Sequence, residues 1–285
     1  MNGPLGRIVF PLFVLTMWVL LGVWLAQGDW TGLNWLMLGT AAVCCAIVFV
    51  DFVSVFNFGY ASCMILLPIE VLIVRGFEPA TVLLGGLSII YGVRLFEFAW
   101  RRRRQASFAG QLRGMKAADS AVPTPVKAVL FLFVTTLQTF EGMSVYVVGT
   151  EGVATTWLYV GAALMAVGLI LEWVADEQKT KAKAAAPTAF VRNGLYARTR
   201  HPNYTGEIVF QIGLAIAAFG SVTGWWQWLA VAIAPAYIVV LMCFSANSGT
   251  ARMAERHAGD PEWDAYRDSS GLLLPALGGS SSTTR

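Results

Sequence analysis

The sequence predicts an all-α membrane protein: a polytopic bundle of seven or eight transmembrane helices with a cytoplasmic, amphipathic C-terminal segment. Three observations predict it. Of the 285 residues, 56% are hydrophobic and 13% are charged, where a soluble domain carries about a quarter charged residues. The mean hydropathy is +0.62, and one soluble core could not hide that much apolar surface. The apolar residues also fall in runs near the roughly 20 residues that cross a bilayer, with Lys and Arg clustered between them.

Taken in order, the runs cover 8–26, 35–56, 60–74, 80–100, 128–149, 155–175, 205–220 and 225–246. The first is longer than the apolar region of a cleavable signal and is expected to stay as a span. Only Asn57, Phe58 and Gly59 separate the second run from the third, so the two form either two spans or one long broken helix. Pro11, Pro68 and Pro235 lie inside runs and predict kinks. One basic cluster holds Arg101 to Arg104, Arg113, Lys116 and Lys127. The second runs from Lys179 to Arg200, and the third holds Arg252, Arg256 and Arg267. Two spans separate each cluster from the next, so all three share one side, and an excess of Lys and Arg marks the cytoplasm. The opposite loops hold only Arg75; placing Arg7 inside as well favours eight spans. Residues 1–277 read as one domain whose cofactor-binding half begins near 155, and 278–285 as a flexible tail.

Several classes are excluded. Cys44, Cys45, Cys63 and Cys243 all lie in apolar runs without a CxxC pair and read as small buried hydrophobes. His201 and His257 are the only histidines, too few for a metal site of the usual His/Cys kind. Neither a nucleic-acid partner nor an obligate protein partner is expected. Trp24, Trp30, Trp35, Trp225, Trp226 and Trp228 stand near run ends and read as interfacial belts.

Ionisable residues inside spans are costly and mark functional sites. Here they are Asp51, Glu70, Arg94, Glu97, Glu141, Glu172 and Glu207. Arg94 and Glu97 share a helix face and can pair; with Tyr91 they form a polar stripe suited to a cavity. Glu70 and Glu141 are expected to snorkel from span ends.

The most informative stretch is GLYARTRHPNYTGE, residues 194–207. Pro202 suits the first turn of a helix, which puts His201 near its N-cap. Free N–H groups and the positive dipole end there, beside Arg198 and Arg200, make an anion site that fits phosphate. Asn203, Tyr204 and Glu207 project on one side of that helix. Just upstream, Glu172 and Asp176 are four apart, and Lys179 and Lys183 continue their side if the helix persists. Carboxylates for ribose or amide hydrogens followed by lysines for phosphates suit a nucleotide. The tail, with Arg252, Glu255, Trp263, Tyr266, Leu274 and Pro275, is amphipathic and can cap the site.

These residues resemble the steroid 5α-reductase superfamily, which also includes sterol reductases and isoprenylcysteine methyltransferases. GLYARTRHPNYTGE is similar to that superfamily's GLYxxxRHPNYxGE. Asp51 in DFVSVFNFGYA, Tyr91-Gly-Val-Arg94-Leu, Gln138 in FLFVTTLQ, Asp176-Glu-Gln178-Lys179 and the tail resemble its bacterial branch. The similarity covers most of 40–275. Asn203-Tyr204 with Glu207 looks like the reductase form; the methyltransferases usually have Ser-Tyr or Gln-Tyr there, without this Glu, and a Glu-Glu pair where this chain has Ala254-Glu255. Loop 105–122 departs from the bacterial branch, and Glu172 stands where steroid reductases tend to have Asn.

The resemblance implies an NADPH site built from Asp176, Lys183, Arg200, His201, Asn203, Tyr204, Glu207, Arg252 and Glu255, to which the residue pattern adds Lys179 and Arg198. It implies that Tyr91 and Arg94 face substrate and nicotinamide, and that Asp51 is the acid paired with Tyr91. The expectation is therefore an NADPH-dependent reductase of a carbon–carbon double bond in a lipophilic enone, such as a 3-oxo steroid or terpenoid, taken from the surrounding lipid. Tyr91, Asp51 and Glu207 are its candidate catalytic residues. A bacterial inner membrane is expected rather than the endoplasmic reticulum. The alternatives are a methyltransferase that uses S-adenosylmethionine and a non-catalytic lipid- or sterol-binding protein.

Overall fold

A computed structural model describes residues 4–27, 30–105 and 108–276, and the side chains of these except 4–10, 111 and 118. The side chain of Arg7 and the tail at 278–285 lie outside the described residues. The chain is all-helical, and among the described residues there is no strand, only an isolated parallel bridge between Thr199 and Gly271.

Each of the eight apolar runs holds a helix. They are α1 (Pro4–Ala26), α2 (Gly32–Cys45), α3 (Phe58–Arg75), α4 (Pro79–Arg103), α6 (Thr124–Glu141) followed by α7 (Met143–Glu151), α8 (Thr156–Ala185), α9 (Pro202–Ala218) and α10 (Trp225–Arg256). Two further helices, α5 (Ala109–Ser120) and α11 (Pro261–Ser269), lie outside the runs. Six segments among the described residues are long and apolar enough to cross a membrane, and Pro11–Ala26 is a shorter apolar helix. α9 has 17 residues.

The second and third runs do not form one long helix. Two short 3-10 segments, Ala46–Phe49 and Phe52–Phe56, turn the chain between α2 and α3. The Asp51 side chain caps the second by accepting from the Ser54 backbone N–H. Prolines in first turns start α4, α9 and α11, where the missing N–H costs nothing. Pro11, Pro68 and Pro235 do lie inside helices.

α8 and α10 both run past the apolar stretch that predicts them, to Ala185 and Arg256. Their ends, the end of α4 and the starts of α3 and α9 gather at one pole, the basic one. There the tail straps the turn before α9. The Arg200 and His201 N–H groups donate to the Gly271 and Leu272 carbonyls at 2.9 and 3.2 Å, and Gly271 N–H donates to the Arg198 carbonyl at 2.9 Å. The Tyr266 hydroxyl donates to the Tyr196 carbonyl at 2.8 Å, and Trp263 packs beside it.

The most extensive helix pair is α8 with α9, and glycine makes it close. A Cβ on Gly168 would stand 2.4 Å from the Phe210 nitrogen, and one on Gly206 2.5 Å from the Glu172 nitrogen. Small residues let helix backbones approach in this way in membranes. The seam sets the Glu172 backbone of α8 against Gly206, the residue before Glu207 on α9.

At the opposite pole the tryptophans only partly form a belt. Trp35, Trp225 and Trp228 are exposed, but Trp24 is fully buried. It packs against Trp30 and Trp226 with ring centroids 4.5 and 5.0 Å away.

Candidate functional site

At the basic pole a cavity of about 1060 Å³ opens into the bundle. Its mouth carries five cations: Arg102 from α4, Lys179 and Lys183 from α8, and Arg252 and Arg256 from α10. His201, Asn203, Tyr204 and Glu207 enter from the first turns of α9, and Glu172 and Asp176 from α8. Deeper in, the wall is Tyr60, Gln138 and the apolar Val134, Leu137, Ile238 and Leu241. The persistence of α8 through Lys183 therefore does bring its four charged positions to one wall, as their spacing predicts.

Arg94 does not pair with Glu97. It reaches across to α8, donating to Glu172 at 2.5 Å and to Asp176, with all three side chains buried. Glu97 faces outward and pairs with Arg101 at 3.4 Å. The reason is depth: Arg94 is at the packed α4–α8 face, while Glu97 has rotated to the exposed side. The second oxygen of Glu172 is buried and accepts no hydrogen bond.

His201 caps α9, and its ring stacks on Tyr204 at 5.2 Å. Its Nε2 is 2.9 Å from the Thr250 hydroxyl. Burial, with Lys179, Arg200 and Arg252 nearby, pushes its pKa down to about 4, so the ring is neutral at physiological pH.

Other expected residues lie elsewhere. The Arg200 guanidinium is turned to the tail, donating to the carbonyls of Arg267, at 2.6 Å, and Ser270. Arg198 is exposed and Glu255 is exposed, and neither lines the cavity. The Arg200 side chain thus binds the protein's own tail, whereas Arg198 meets the tail only through its backbone carbonyl. Asp51 does not meet Tyr91. It pairs with Arg103 at 2.6 Å and accepts from the Ser54 hydroxyl at 2.7 Å. Although burial opposes its charge, Ser54 and Arg103 hold the Asp51 carboxyl below its usual range.

Tyr91 is fully buried and stacked on Phe210, with centroids 4.1 Å apart. It stands behind the cavity wall, facing Tyr60, Glu172 and Glu207. The tyrosine that reaches the cavity is Tyr60, on α3. Its hydroxyl accepts from the Gln211 amide at 2.6 Å and is 3.4 Å from Glu141. Glu141 does not snorkel: it is 2% exposed. Glu70 is hydrogen-bonded by the Thr40 hydroxyl. Sequence reasoning gives Arg102, Gln138 and Tyr60 no site role, although each is a polar residue within or at the end of an apolar run.

A family model described as a protein of unknown function (DUF1295) matches residues 46–270. The chain belongs to that family. It is related to the steroid 5α-reductase-like proteins, and the region that matches DUF1295 holds every cavity-lining residue except Cys45. The DUF1295 chain is also 35% identical over 78 residues to a protein named "Probable O-methyltransferase ustE" from Ustilaginoidea virens. That match covers 27% of this chain and 28% of the relative. No solved structure matches.

Proposed function

We infer that the protein is an NADPH-dependent reductase of a carbon–carbon double bond in a lipophilic enone. The observation that carries the reading is the charge balance of the cavity. Five cations line it against three carboxylates, and Arg94 already neutralises two of those. Such a surplus suits a ligand with several phosphate charges, because Arg and Lys bind phosphate through charge-assisted hydrogen bonds. S-adenosylmethionine is itself a cation and needs no such surplus. The cavity also slightly exceeds the roughly 300–1,000 Å³ of small-ligand sites, giving room for a dinucleotide and the end of a lipid.

In this reading Arg102, Lys179, Lys183, Arg252 and Arg256 hold the phosphates at the mouth. Asn203 and Glu207 take hydroxyl and amide hydrogens farther in. When bound, the reduced nicotinamide supplies a hydride to the β-carbon of the enone. The Tyr60 hydroxyl, at the apolar inner end, donates to the substrate oxygen and stabilises the negative charge that develops there, usually the largest contribution to such catalysis. The apolar wall takes substrate from the membrane, while the basic pole faces the cytoplasm of a bacterial inner membrane.

The short match to a protein named as an O-methyltransferase supports a second reading, methyl transfer from S-adenosylmethionine. Titration of purified protein in detergent with NADPH, NADH and S-adenosylmethionine separates the two. NADPH is expected to bind and to be oxidised with one or more of a panel of enones. Replacing Lys183 or Arg252 by Gln should weaken NADPH about tenfold, the scale of one charge-assisted hydrogen bond, and NADH less. Binding of S-adenosylmethionine alone would overturn the reductase reading in favour of methyl transfer. Binding of lipid with no nucleotide would make the protein a lipid carrier.

A further inference from the structure

Behind the inner end of the cavity lies a polar cluster that nucleotide binding does not need. Glu141, at the end of α6, is 2% exposed. Its Oε1 is 3.4 Å from the Tyr60 hydroxyl, and Gln211 is its other polar neighbour. Among the described residues no salt bridge to Glu141 forms, and its Oε2 has no hydrogen-bond partner. Beside Glu141 a void of about 10 Å³ is lined by Ser88, Gln138 and Glu141 together with apolar residues such as Met64, Leu67 and Val145. The Gln138 oxygen is also buried without a partner. A void of about 10–15 Å³ with two to four polar neighbours holds one water. Gln138 lines the large cavity as well, so it stands between the two spaces.

We propose that Glu141 is the proton reservoir for Tyr60, refilled through a single water in the void beside Gln138. The inference rests on the reductase reading. An unpaired carboxylate buried in a membrane protein is expensive, while a carboxylic acid has an O–H to give. The balance of the step is simple. As hydride reaches the β-carbon, the substrate C=C bond is lost and charge moves to its oxygen. The Tyr60 O–H bond breaks and an O–H bond to substrate forms. The tyrosinate then takes the Glu141 proton, and the Glu141 carboxylate takes one from the void water, which draws it from solvent through the cavity. The enol moves its proton from oxygen to the α-carbon, so each turnover consumes one hydride and one proton. Tyr60 is the catalytic residue; Glu141 acts through it.

Infrared difference spectroscopy tests the acid directly, with or without a known substrate. Wild-type protein should show a carboxylic-acid C=O band that shifts in D₂O and is missing from Glu141→Gln. Glu141→Gln should bind NADPH within about twofold of wild type. Its kcat should fall about 100-fold, the low end for loss of general-acid catalysis, with a larger solvent deuterium isotope effect. Ser88→Val, which fills the void but leaves the carboxyl, should also raise the solvent isotope effect and keep NADPH affinity. If Glu141→Gln retains wild-type kcat, or if the band persists in it, the relay is overturned while the reductase reading stands. Failure of wild type to bind NADPH overturns the reductase reading instead, and the spectrum still reports on Glu141.

Discussion

Removing Arg94 should unbalance the molecule more than any other single charge change. The guanidinium is the shared partner of Glu172 and Asp176, and the paired side chains are only 4–6% exposed. In Arg94→Met the chain keeps a comparable stem but leaves two carboxylates facing each other four residues apart on α8. Breaking a buried pair by deleting one member costs about 3–5 kcal/mol, because the other charge is left uncompensated. At about 2–4 °C per kcal/mol for a chain of this size, the melting temperature in detergent should fall by about 6–20 °C. The charge argument makes a second demand. Adding Glu172→Gln and Asp176→Asn removes the orphaned charges and should recover most of the loss, since replacing a buried ion pair by uncharged groups is often nearly neutral. Thermal unfolding followed by intrinsic tryptophan fluorescence measures both. If Arg94→Met melts within about 2 °C of wild type, or if the triple variant is no more stable than the single one, the buried-pair reasoning is wrong.

Gly206→Ala should destabilise by more than the about 1–3 kcal/mol of ordinary overpacking. The new Cβ would meet Glu172 backbone 2.5 Å away, which cannot swing aside as a side-chain tip would; melting and the yield of folded protein report it. Below neutral pH, His201 should make the fold less stable. Its folded pKa, about 4, lies below the unfolded value of about 6.5, so the unfolded chain takes the proton first. Stability from this residue is full above about pH 6.5 and is lost as pH falls towards 4; His201→Gln should flatten that part of the melting-temperature profile. Arg200→Ala should free the tail, since it removes donors to the Arg267 and Ser270 carbonyls. Hydrogen exchange should then rise at Gly271 and in the Arg200–His201 backbone, with a loss of about 1.5–3 kcal/mol for bonds to a charged group.

Hydropathy made the spans legible because it depends on local composition alone. Each apolar run holds a helix, and Pro202 does start α9. The helical period also placed Glu172, Asp176, Lys179 and Lys183 on one wall, since it needs only an unbroken α8. What stayed hidden was the choice between partners. Arg94 has Glu97 three residues away in sequence, yet pairs with α8, because only packing tells which side of α4 is buried. Arg198 and Arg200 look like an anion clamp beside a helix start, but the tail that engages the Arg200 side chain lies some seventy residues on. Tyr91 and Tyr60 could not be ranked from sequence either. Stacking on Phe210 sets Tyr91 behind the wall, and Tyr60 reaches the cavity from α3.

These corrections leave a cavity with a direction. Its mouth is ringed by side chains that can swing through solvent, such as Arg252, which is exposed, while its floor is fixed by buried groups, among them Glu172, Gln138 and Tyr60. In the proposed reading, positive charge therefore sits where a soluble, anionic ligand would arrive, and the neutral Gln138 and Tyr60 sit where an apolar one would end. The close α8–α9 seam ties the two together. Glycine at 168 and 206 lets the backbones approach, so the α8 wall that binds Arg94 and the α9 turn that carries Asn203, Tyr204 and Glu207 line the same space. A side chain in that seam would separate the two walls before it reached either ligand. Substitutions there should thus weaken nucleotide and lipid binding together, whereas changes at the mouth should touch the nucleotide alone.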